Sequence, residues 1–260
     1  MSIKLTKIKE ERKNNKLVFK MENTSVAFAN TIRRMVVEEV PTLAVEDVEI
    51  KDNNTALYDE MLALRLGLLP IKTDLKSYKL KSECKCGGEG CAQCELKITL
   101  KGNKKGYLKA GEAQSADPKC TFVYENMIVV KLLVKQKVDV VMTAILGKGK
   151  EHAKWSAGWA YYKKEANVKV GKVEDAEKVA KACVDGVFSL KGNKLEVNQD
   201  KVNDSQLLEF YADLDKGIEI DYTDNIIFTL ESWGQLGLKQ ILDESANILI
   251  SKCEELEKAL

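Results

Sequence analysis

Apolar and polar residues alternate along much of this chain, and a period of two predicts strands. Residues 3–20 alternate around the charged segment 10–16, which predicts two strands joined by a turn. Alternation also predicts strands at 45–51, 95–101, 127–134 and 138–146, a hairpin at 187–197 turned by the letters KGNK, and two strands within 218–230. The middle third of the chain is therefore expected to be rich in strands.

Apolar residues three or four positions apart predict helices in the remaining segments. The first stripe starts after the capping residues Asn23, Thr24 and Ser25 and stops before Pro41. Its members are Phe28, Ile32, Met35 and Val36. Further helices are predicted at 57–66, 174–184 and 204–214.

The last segment predicts the longest helix of the chain. Ser232 and Gln235 have the spacing of a capping box, and the predicted helix has about 25 residues. Its apolar stripe consists of Leu238, Ile241, Leu242, Ile248, Leu249 and Leu256. Both ends of the chain thus predict a helix packed on strands, with other material inserted between them.

Four of the seven cysteines lie within eleven residues, as the pairs Cys84-x-Cys86 and Cys91-x-x-Cys94. Two short pairs can present four thiolates to one tetrahedral metal ion, and Gly87, Gly88 and Gly90 allow the tight turns between them. Four protein ligands leave no open position, so such a site is structural. The spacing favours one zinc ion, while an iron–sulfur cluster and a loop without metal stay open as alternatives.

Composition narrows the classes of function. The chain has 260 residues, 41 Lys and Arg against 40 Asp and Glu, and a formal net charge of +1. Nucleic-acid-binding proteins carry a basic excess, so direct DNA binding is not expected. No apolar stretch approaches the about 18 residues of a membrane span, and the charged N-terminal segment is unlike a signal peptide. The chain is expected to be cytoplasmic, a reducing compartment in which clustered cysteines bind metal more often than they form disulfides. The odd total of seven cysteines also argues against a full disulfide framework.

The catalytic motifs that sequence alone can reveal are missing. There is one histidine, His152, without a plausible catalytic companion nearby, and no phosphate loop, nucleophile elbow or paired-aspartate motif occurs. Two Trp and two Tyr lie between Trp155 and Tyr162. They are equally consistent with a buried strand and with an exposed aromatic anchor.

Three blocks of sequence resemble one known family. They are AFANTIRRMVVEEVPTLAVEDVEI at 27–50, DEMLALRLGLLPI at 59–71 and GKGKEHAKWSAGWAYYK at 147–163. They are similar, in this order, to the D-type subunits of archaeal RNA polymerase, the counterparts of bacterial alpha and of the third-largest chain of eukaryotic polymerase II. The resemblance covers nearly the whole chain.

The resemblance implies an α+β fold with a discontinuous, alpha-subunit-type dimerisation domain. This domain would comprise residues 1–40 and 215–260, with a strand-rich insert domain at 41–163 and a ferredoxin-like third domain at 164–214. The chain would be a non-catalytic assembly platform of DNA-directed RNA polymerase. It would pair with small subunit L and also meet the small subunits N and P and the large B-type subunit, while the chemistry would belong to the largest subunit.

The resemblance also assigns surfaces to particular residues. In the interface with subunit L, Phe28, Ile32 and Met35 are expected to lie near a second group of residues and to face the partner together with it. The second group is Ile241, Leu242, Ile248 and Leu249. Contacts with a large subunit would involve Arg33, Arg34, His152 and Trp155. The metal ligands follow from the spacing of the cysteine pairs and not from the resemblance, and they are Cys84, Cys86, Cys91 and Cys94.

Several archaeal members of this family carry iron–sulfur clusters in the third domain, and here the chain departs from them. Cys183 is the only cysteine between Cys120 and Cys253, and one thiolate cannot hold a cluster, so Cys183 is expected to be a small buried core residue. We therefore expect no iron–sulfur cluster, with apolar packing in its place. The residues expected to provide it are Val187, Phe188, Leu195, Leu207, Leu208 and Phe210.

Two other classes of function stay open at the sequence level. One is a stand-alone cytosolic redox or iron–sulfur protein in which the cysteine loop and Cys183 carry electrons. The other is a zinc-stapled module that binds nucleic acid, which the near-neutral charge disfavours.

Overall fold

A computed structural model of the chain describes residues 2–192 and 194–260, which form a mixed α and β structure. The strands are β1 (Lys4–Glu11), β2 (Lys16–Glu22), β3 (Thr42–Asn53), β4 (Glu95–Gly102), β5 (Gly106–Lys109), β6 (Gln114–Ser115), β7 (Ile128–Leu132), β8 (Val138–Gly147), β9 (Gly158–Val170), β10 (Phe188–Lys191), β11 (Lys194–Val197) and β12 (Ile218–Ser232). The helices are α1 (Val26–Arg34), α2 (Asp59–Gly67), α3 (Ala176–Ala182), α4 (Gln199–Val202), α5 (Leu208–Leu214) and α6 (Leu238–Ala259).

The chain divides into two compact units. The first comprises residues up to 9, 18–30 and 161–229, and the second comprises 10–17, 31–160 and 230–260. The three-domain division that the resemblance implies stays a prediction. Among the helices of the described residues, none combines the length and the apolar character that a membrane crossing requires.

The first unit contains most of a four-stranded sheet with the order β1-β2-β12-β9. Phe19 and Phe228 stack on this sheet with their ring centroids 5.1 Å apart. Two strands were predicted within 218–230, but β12 is one strand of 15 residues, so that prediction was wrong. Its polar middle stays in the sheet because Thr223 and Asn225 both donate hydrogen bonds to Glu165 on β9.

A second core in this unit lies between α3, α5 and the β10–β11 hairpin. Val187, Phe188, Leu195 and Leu208 are buried in it, as predicted. Leu207 and Phe210 are 38% and 48% exposed, so their prediction as core residues was wrong. Tyr211 is fully buried there, with its ring edge-on to Phe188 at 5.4 Å. The turn residue Asn193 of the predicted hairpin lies outside the described residues.

Asp185 is a polar hub beside this core. Its carboxylate accepts hydrogen bonds from the Tyr211 hydroxyl at 3.0 Å, the Cys183 thiol at 3.2 Å and the Val187 backbone N–H at 3.3 Å, and from the Ser205 hydroxyl. Burial alone would raise the pKa of Asp185, but these donors outweigh it and hold the pKa below its ordinary value. Cys183, predicted to be a small core residue, is half-buried and belongs to this network.

The second unit is built on the antiparallel sheet β3-β8-β4-β6. Strands β3 and β8 pair from Thr42 opposite Gly147 to Asn53 opposite Val138, with irregularities after Val45 and Ile50. Alternate residues of β8 and β4 face one large core, which α2 covers. The predicted strands and helix of this region are confirmed, although β3 has 12 residues where 45–51 was predicted and β7 has 5 where 127–134 was predicted.

Helix α1 begins as predicted, because the Ser25 hydroxyl accepts a hydrogen bond from the Phe28 N–H at 3.1 Å. After Arg34 it widens into a π-helical turn, Met35–Glu39. This turn buries the carboxylate of Glu39, which binds Lys252 of α6 at 2.7 Å and Lys148 at 3.3 Å. Helix α6 packs against the turn, so Glu39 joins three segments that are far apart in sequence.

Helix α6 does not start at the predicted capping box. Ser232 is buried, and its hydroxyl donates to the Leu236 carbonyl at 2.7 Å and accepts from the Gly234 N–H at 3.0 Å. Gln235 is buried too, and its side chain donates to Thr42 at 3.3 Å. The pair thus stabilises the turn before the helix, and α6 begins at Leu238 after Gly237.

We expect Glu39→Gln to destabilise the protein by about 1–3 kcal/mol, because the amide keeps one acceptor oxygen for two ammonium groups and its NH2 group, a donor, faces the other lysine. Burial opposes the ionisation of Glu39, but Lys252 and Lys148 lower its pKa below the ordinary value. Chemical denaturation measures the loss. Glu38→Gln, which removes a more exposed pair with Arg34, is the control and should cost less. Equal losses in the two variants would contradict this account.

Asp185→Asn should destabilise the first unit by about 1–3 kcal/mol, since the carboxylate accepts four hydrogen bonds. A carboxyl group with a lowered folded pKa stabilises the fold above its ordinary pKa of 3.8 and loses this effect as the pH falls through the folded value. The difference between wild type and variant should therefore shrink in acid. Unfolding curves across that pH range measure it, with the exposed Asp213→Asn as control.

Candidate metal centre and partner surface

The cysteine loop is a pair of tight turns that precede β4. A short helical turn, Lys81–Glu83, leads into it. The Gly87 N–H donates to the Cys84 carbonyl at 3.0 Å, and the Cys94 N–H donates to the Cys91 carbonyl at 3.0 Å. Gly90, between the two turns, has a φ of +101°, which other residues rarely adopt. These turns direct all four cysteine side chains to one point.

The four sulfur atoms have the spacing of a tetrahedral metal site. They all lie within 4.8 Å of one another. The distance is 3.5 Å from Cys84 Sγ to Cys91 Sγ, 3.6 Å from Cys86 Sγ to Cys94 Sγ, and 3.8 Å from Cys91 Sγ to Cys94 Sγ. Ligands placed tetrahedrally about 2.3 Å from a zinc ion are about 3.8 Å apart. The donor set and its geometry therefore fit one metal ion of the zinc type.

The surroundings of the loop shift the pKa values of its cysteine thiols in different directions. Backbone N–H groups of Gly90 and Gly88, together with the Cys84 side chain, lower the pKa of Cys86 to about 6. Burial raises the pKa of Cys94 to about 12. Cys86 therefore loses its proton more readily than the buried Cys94, whose thiolate a bound metal would stabilise. Since all four positions are protein ligands, the metal would hold the loop together and would not bind substrate.

The four residues predicted to form the large-subunit contact lie in unlike surroundings. His152 is exposed, and its Nδ1 accepts a hydrogen bond from the Lys154 N–H at 3.1 Å. Arg34 is exposed and pairs with Glu38 at 3.0 Å, while Arg33 is half-buried. Trp155 is only 6% exposed.

Trp155 anchors the interior of the second unit. Its indole N–H donates to the Ile145 carbonyl at 3.3 Å, and its ring occupies the space that a side chain at Gly147 would fill. The Lys154 ammonium lies 4.4 Å from the ring centre. Burial leaves Trp155 little surface for a partner, and Trp159, 55% exposed, is the accessible indole of this motif. The aromatic motif therefore contains both a core residue and an exposed one.

Helix α6 is covered by its own chain only along its first half. Ile241 and Ser245 are fully buried, and Leu242, Ile248 and Leu249 are half-buried. From Ile250 to the end of the chain every residue is exposed. On helix α1 and the turn after it, Phe28, Ile32 and Met35 are half-buried. The predicted approach of these three residues to α6 stays a prediction, and Ile241 serves the packing of its own unit.

The exposed part of α6 continues an apolar stripe that the sequence prediction included only in part. Leu242, Leu249 and Leu256 are seven residues apart, and Ala246, Cys253 and Leu260 fall on the same side of the helix. Leu256 is 63% exposed and Cys253 is exposed as well. The heptad spacing was the signal that identifies Cys253 and Leu260 as further members.

Comparison with known proteins agrees with this geometry. The family described as the RNA polymerase Rpb3/Rpb11 dimerisation domain matches residues 18–253, which include α1 and most of α6. This chain belongs to the Rpb3/Rpb11 dimerisation family. The family assignment confirms the resemblance to RNA polymerase subunits noted in the sequence.

Individual members of the family are similar over nearly their full length. DNA-directed RNA polymerase subunit Rpo3 of Methanosarcina acetivorans is 36% identical over 244 residues, which cover 92% of this chain and 91% of the relative. Subunit Rpo3 of Archaeoglobus fulgidus is 34% identical over 252 residues, 96% of each chain. Subunit Rpo3 of Pyrococcus horikoshii is 31% identical over 255 residues, 96% of each chain.

Protein purified without chelator should contain about one zinc ion per chain, and Gly90→Ala should lower this content. A side chain at Gly90 would lie 2.7 Å from the Glu95 carboxylate, and the backbone there has a positive φ. Elemental analysis measures zinc and iron, and a colorimetric assay measures acid-labile sulfide. Gly106→Ala, also at positive φ but with open space around it, is the control. Stoichiometric iron and sulfide would favour the redox alternative. A protein that contains neither zinc nor iron would contradict the proposed metal site.

Proposed function

We propose that this chain is a non-catalytic assembly subunit of a DNA-directed RNA polymerase, and that it pairs with a small subunit of the L type. The observation that carries the proposal is the apolar stripe on the exposed half of α6, in a chain of the Rpb3/Rpb11 dimerisation family. The relatives named above are polymerase subunits. The pair would work in the cytoplasm, as part of the polymerase.

The stripe is suited to pairing with another helix. Obligate interfaces resemble a hydrophobic core divided between two chains, and heptad-spaced leucines pack into the grooves of a facing helix. Leu249 sits where the covered half of α6 meets the exposed half. A partner helix that packs along Leu242, Leu249 and Leu256 would remove the exposed Leu256 from water. It would also extend the hydrophobic core of the second unit toward the partner.

The anchoring of α6 makes this surface rigid before the partner arrives. Lys252 of α6 is bound to the buried Glu39, and Ile241 is buried against its own unit. A partner then does not have to order the helix, and less free energy is lost on binding. Half-buried Phe28, Ile32, Met35, Ile248 and Leu249 would complete the surface, as the resemblance implies.

The other subunits would bind to surfaces outside the α6 stripe. We assign contacts with the large B-type subunit to Arg33, Arg34 and His152, with Trp155 supporting His152 from the interior at a ring distance of 6.4 Å. Small subunits N and P would bind elsewhere on the chain. The zinc loop would be a structural part of the platform, and polymerisation would take place in the largest subunit.

Leu249→Asp should prevent co-elution with the L-type subunit when both chains are produced together, because pairing would bury an unpartnered charge. Ser251→Asp introduces the same charge on the opposite, exposed face of α6 and should leave the pair intact. Gel filtration followed by mass spectrometry identifies the partner. Cys253 provides a second measurement, since pairing should slow its alkylation. Co-elution of the Leu249→Asp chain in unchanged stoichiometry would rule out this interface.

A further inference from the structure

An ion pair joins the two ends of the cysteine loop. Lys81 lies in the turn just before Cys84, and Glu95 follows directly after Cys94. The Lys81 Nζ is 2.8 Å from Glu95 Oε1, and the Glu95 side chain is only 19% exposed. This pair is therefore partly shielded from water, unlike most surface ion pairs, and it spans the loop at its base.

The backbone brings the same two ends together. The Lys79 N–H donates to the Gln93 carbonyl at 2.8 Å, and the Glu95 N–H donates to the Cys91 carbonyl at 2.9 Å. The Glu95 carboxylate also lies against the bare backbone of Gly90, where a side chain would be only 2.7 Å away. Glu95 thus touches the middle of the loop, and Lys81 holds Glu95 in that place.

A bound metal centre would place net negative charge beside Glu95, and the positive charge of Lys81 would balance it. Four thiolates around a divalent ion have a net charge of about −2, and Glu95 adds a further negative charge close by. Without a cation these charges would repel one another. Lys81 supplies this cation, since its ammonium group lies 2.8 Å from Glu95 Oε1 at the base of the loop.

We propose that Lys81, acting through Glu95, is a positioning residue of the metal centre. It closes the base of the loop and neutralises the charge that metal-bound thiolates bring. The proposal rests on the metal site proposed above. Lys97 also approaches Glu95, at 3.7 Å from Oε2, but its side chain is 58% exposed and its contribution should be smaller.

The test measures zinc affinity of the full-length chain by competition with a chromophoric chelator. Lys81→Met should weaken zinc binding about tenfold or more, the range found for partners of metal ligands. Lys81→Arg keeps the charge and the hydrogen bond, so it should rescue most of the affinity. Lys79→Met removes the same charge two residues away, from an exposed side chain, and should have little effect.

A double-variant cycle tests whether Lys81 works through Glu95. In a Glu95→Gln background, Lys81→Met should weaken zinc binding less than it does in the wild type, because Lys81 then has no carboxylate to hold or neutralise. Cobalt binding, read by its thiolate charge-transfer absorption, should show four sulfur ligands in every variant. Circular dichroism confirms that the variants fold.

The outcomes separate this inference from the assembly function. Equal losses in Lys81→Met and Lys79→Met, or no rescue by Lys81→Arg, would overturn the role of Lys81. A wild-type chain that binds no zinc would overturn the metal centre and this inference together. Pairing with the L-type subunit is measured independently by co-elution and would stand in either case.

Discussion

The second unit depends on the burial of one carboxylate. Glu39 sits in the π-helical turn after α1, where water is excluded, and a buried negative charge is costly unless it is paired. Its partners, Lys148 and Lys252, are 109 and 213 residues further along the chain. The loop that carries Lys148 also approaches the turn closely, since a side chain at Gly149 would meet the Val37 carbonyl oxygen at 2.0 Å. The pairing therefore fixes that loop and α6 against the same turn.

This arrangement explains why α6 has two different halves. Ile241 and Ser245 pack the first half against its own unit, and the Lys252–Glu39 pair fixes one point just beyond it, so the unit sets the direction of the helix. The second half has no cover among the described residues, although it keeps the apolar stripe. A helix held at one end and apolar at the other is a suitable platform for a partner, and it gives the proposed assembly role a physical basis.

The cysteine loop belongs to the same unit but is structurally separate from the Glu39 ion pairs and from α6. Its turns converge through short-range hydrogen bonds, and its base is joined to β4, whose alternate residues Leu96, Ile98 and Leu100 are buried in the core. A metal that orders the loop would therefore also stabilise the start of β4, a core strand, and would have little effect elsewhere in the unit. That is consistent with a structural site that supports the surface around it.

The sequence by itself determined most of the elements and the four cysteines that could hold a metal, because both depend on residues close together in the chain. Periods of two and of three to four predicted most strands and helices, and the four cysteines already contained the spacing of a metal site. It could not show that β12 crosses its polar middle as one strand, since Thr223 and Asn225 are satisfied only by Glu165 on another strand. The sequence also could not show that Trp155 is buried while Trp159 is exposed. Nor could it show that Ser232 lies in a buried turn and does not cap a helix. Only the tertiary structure decided these, because the burial of a side chain and the partners of a polar group depend on segments brought together by folding.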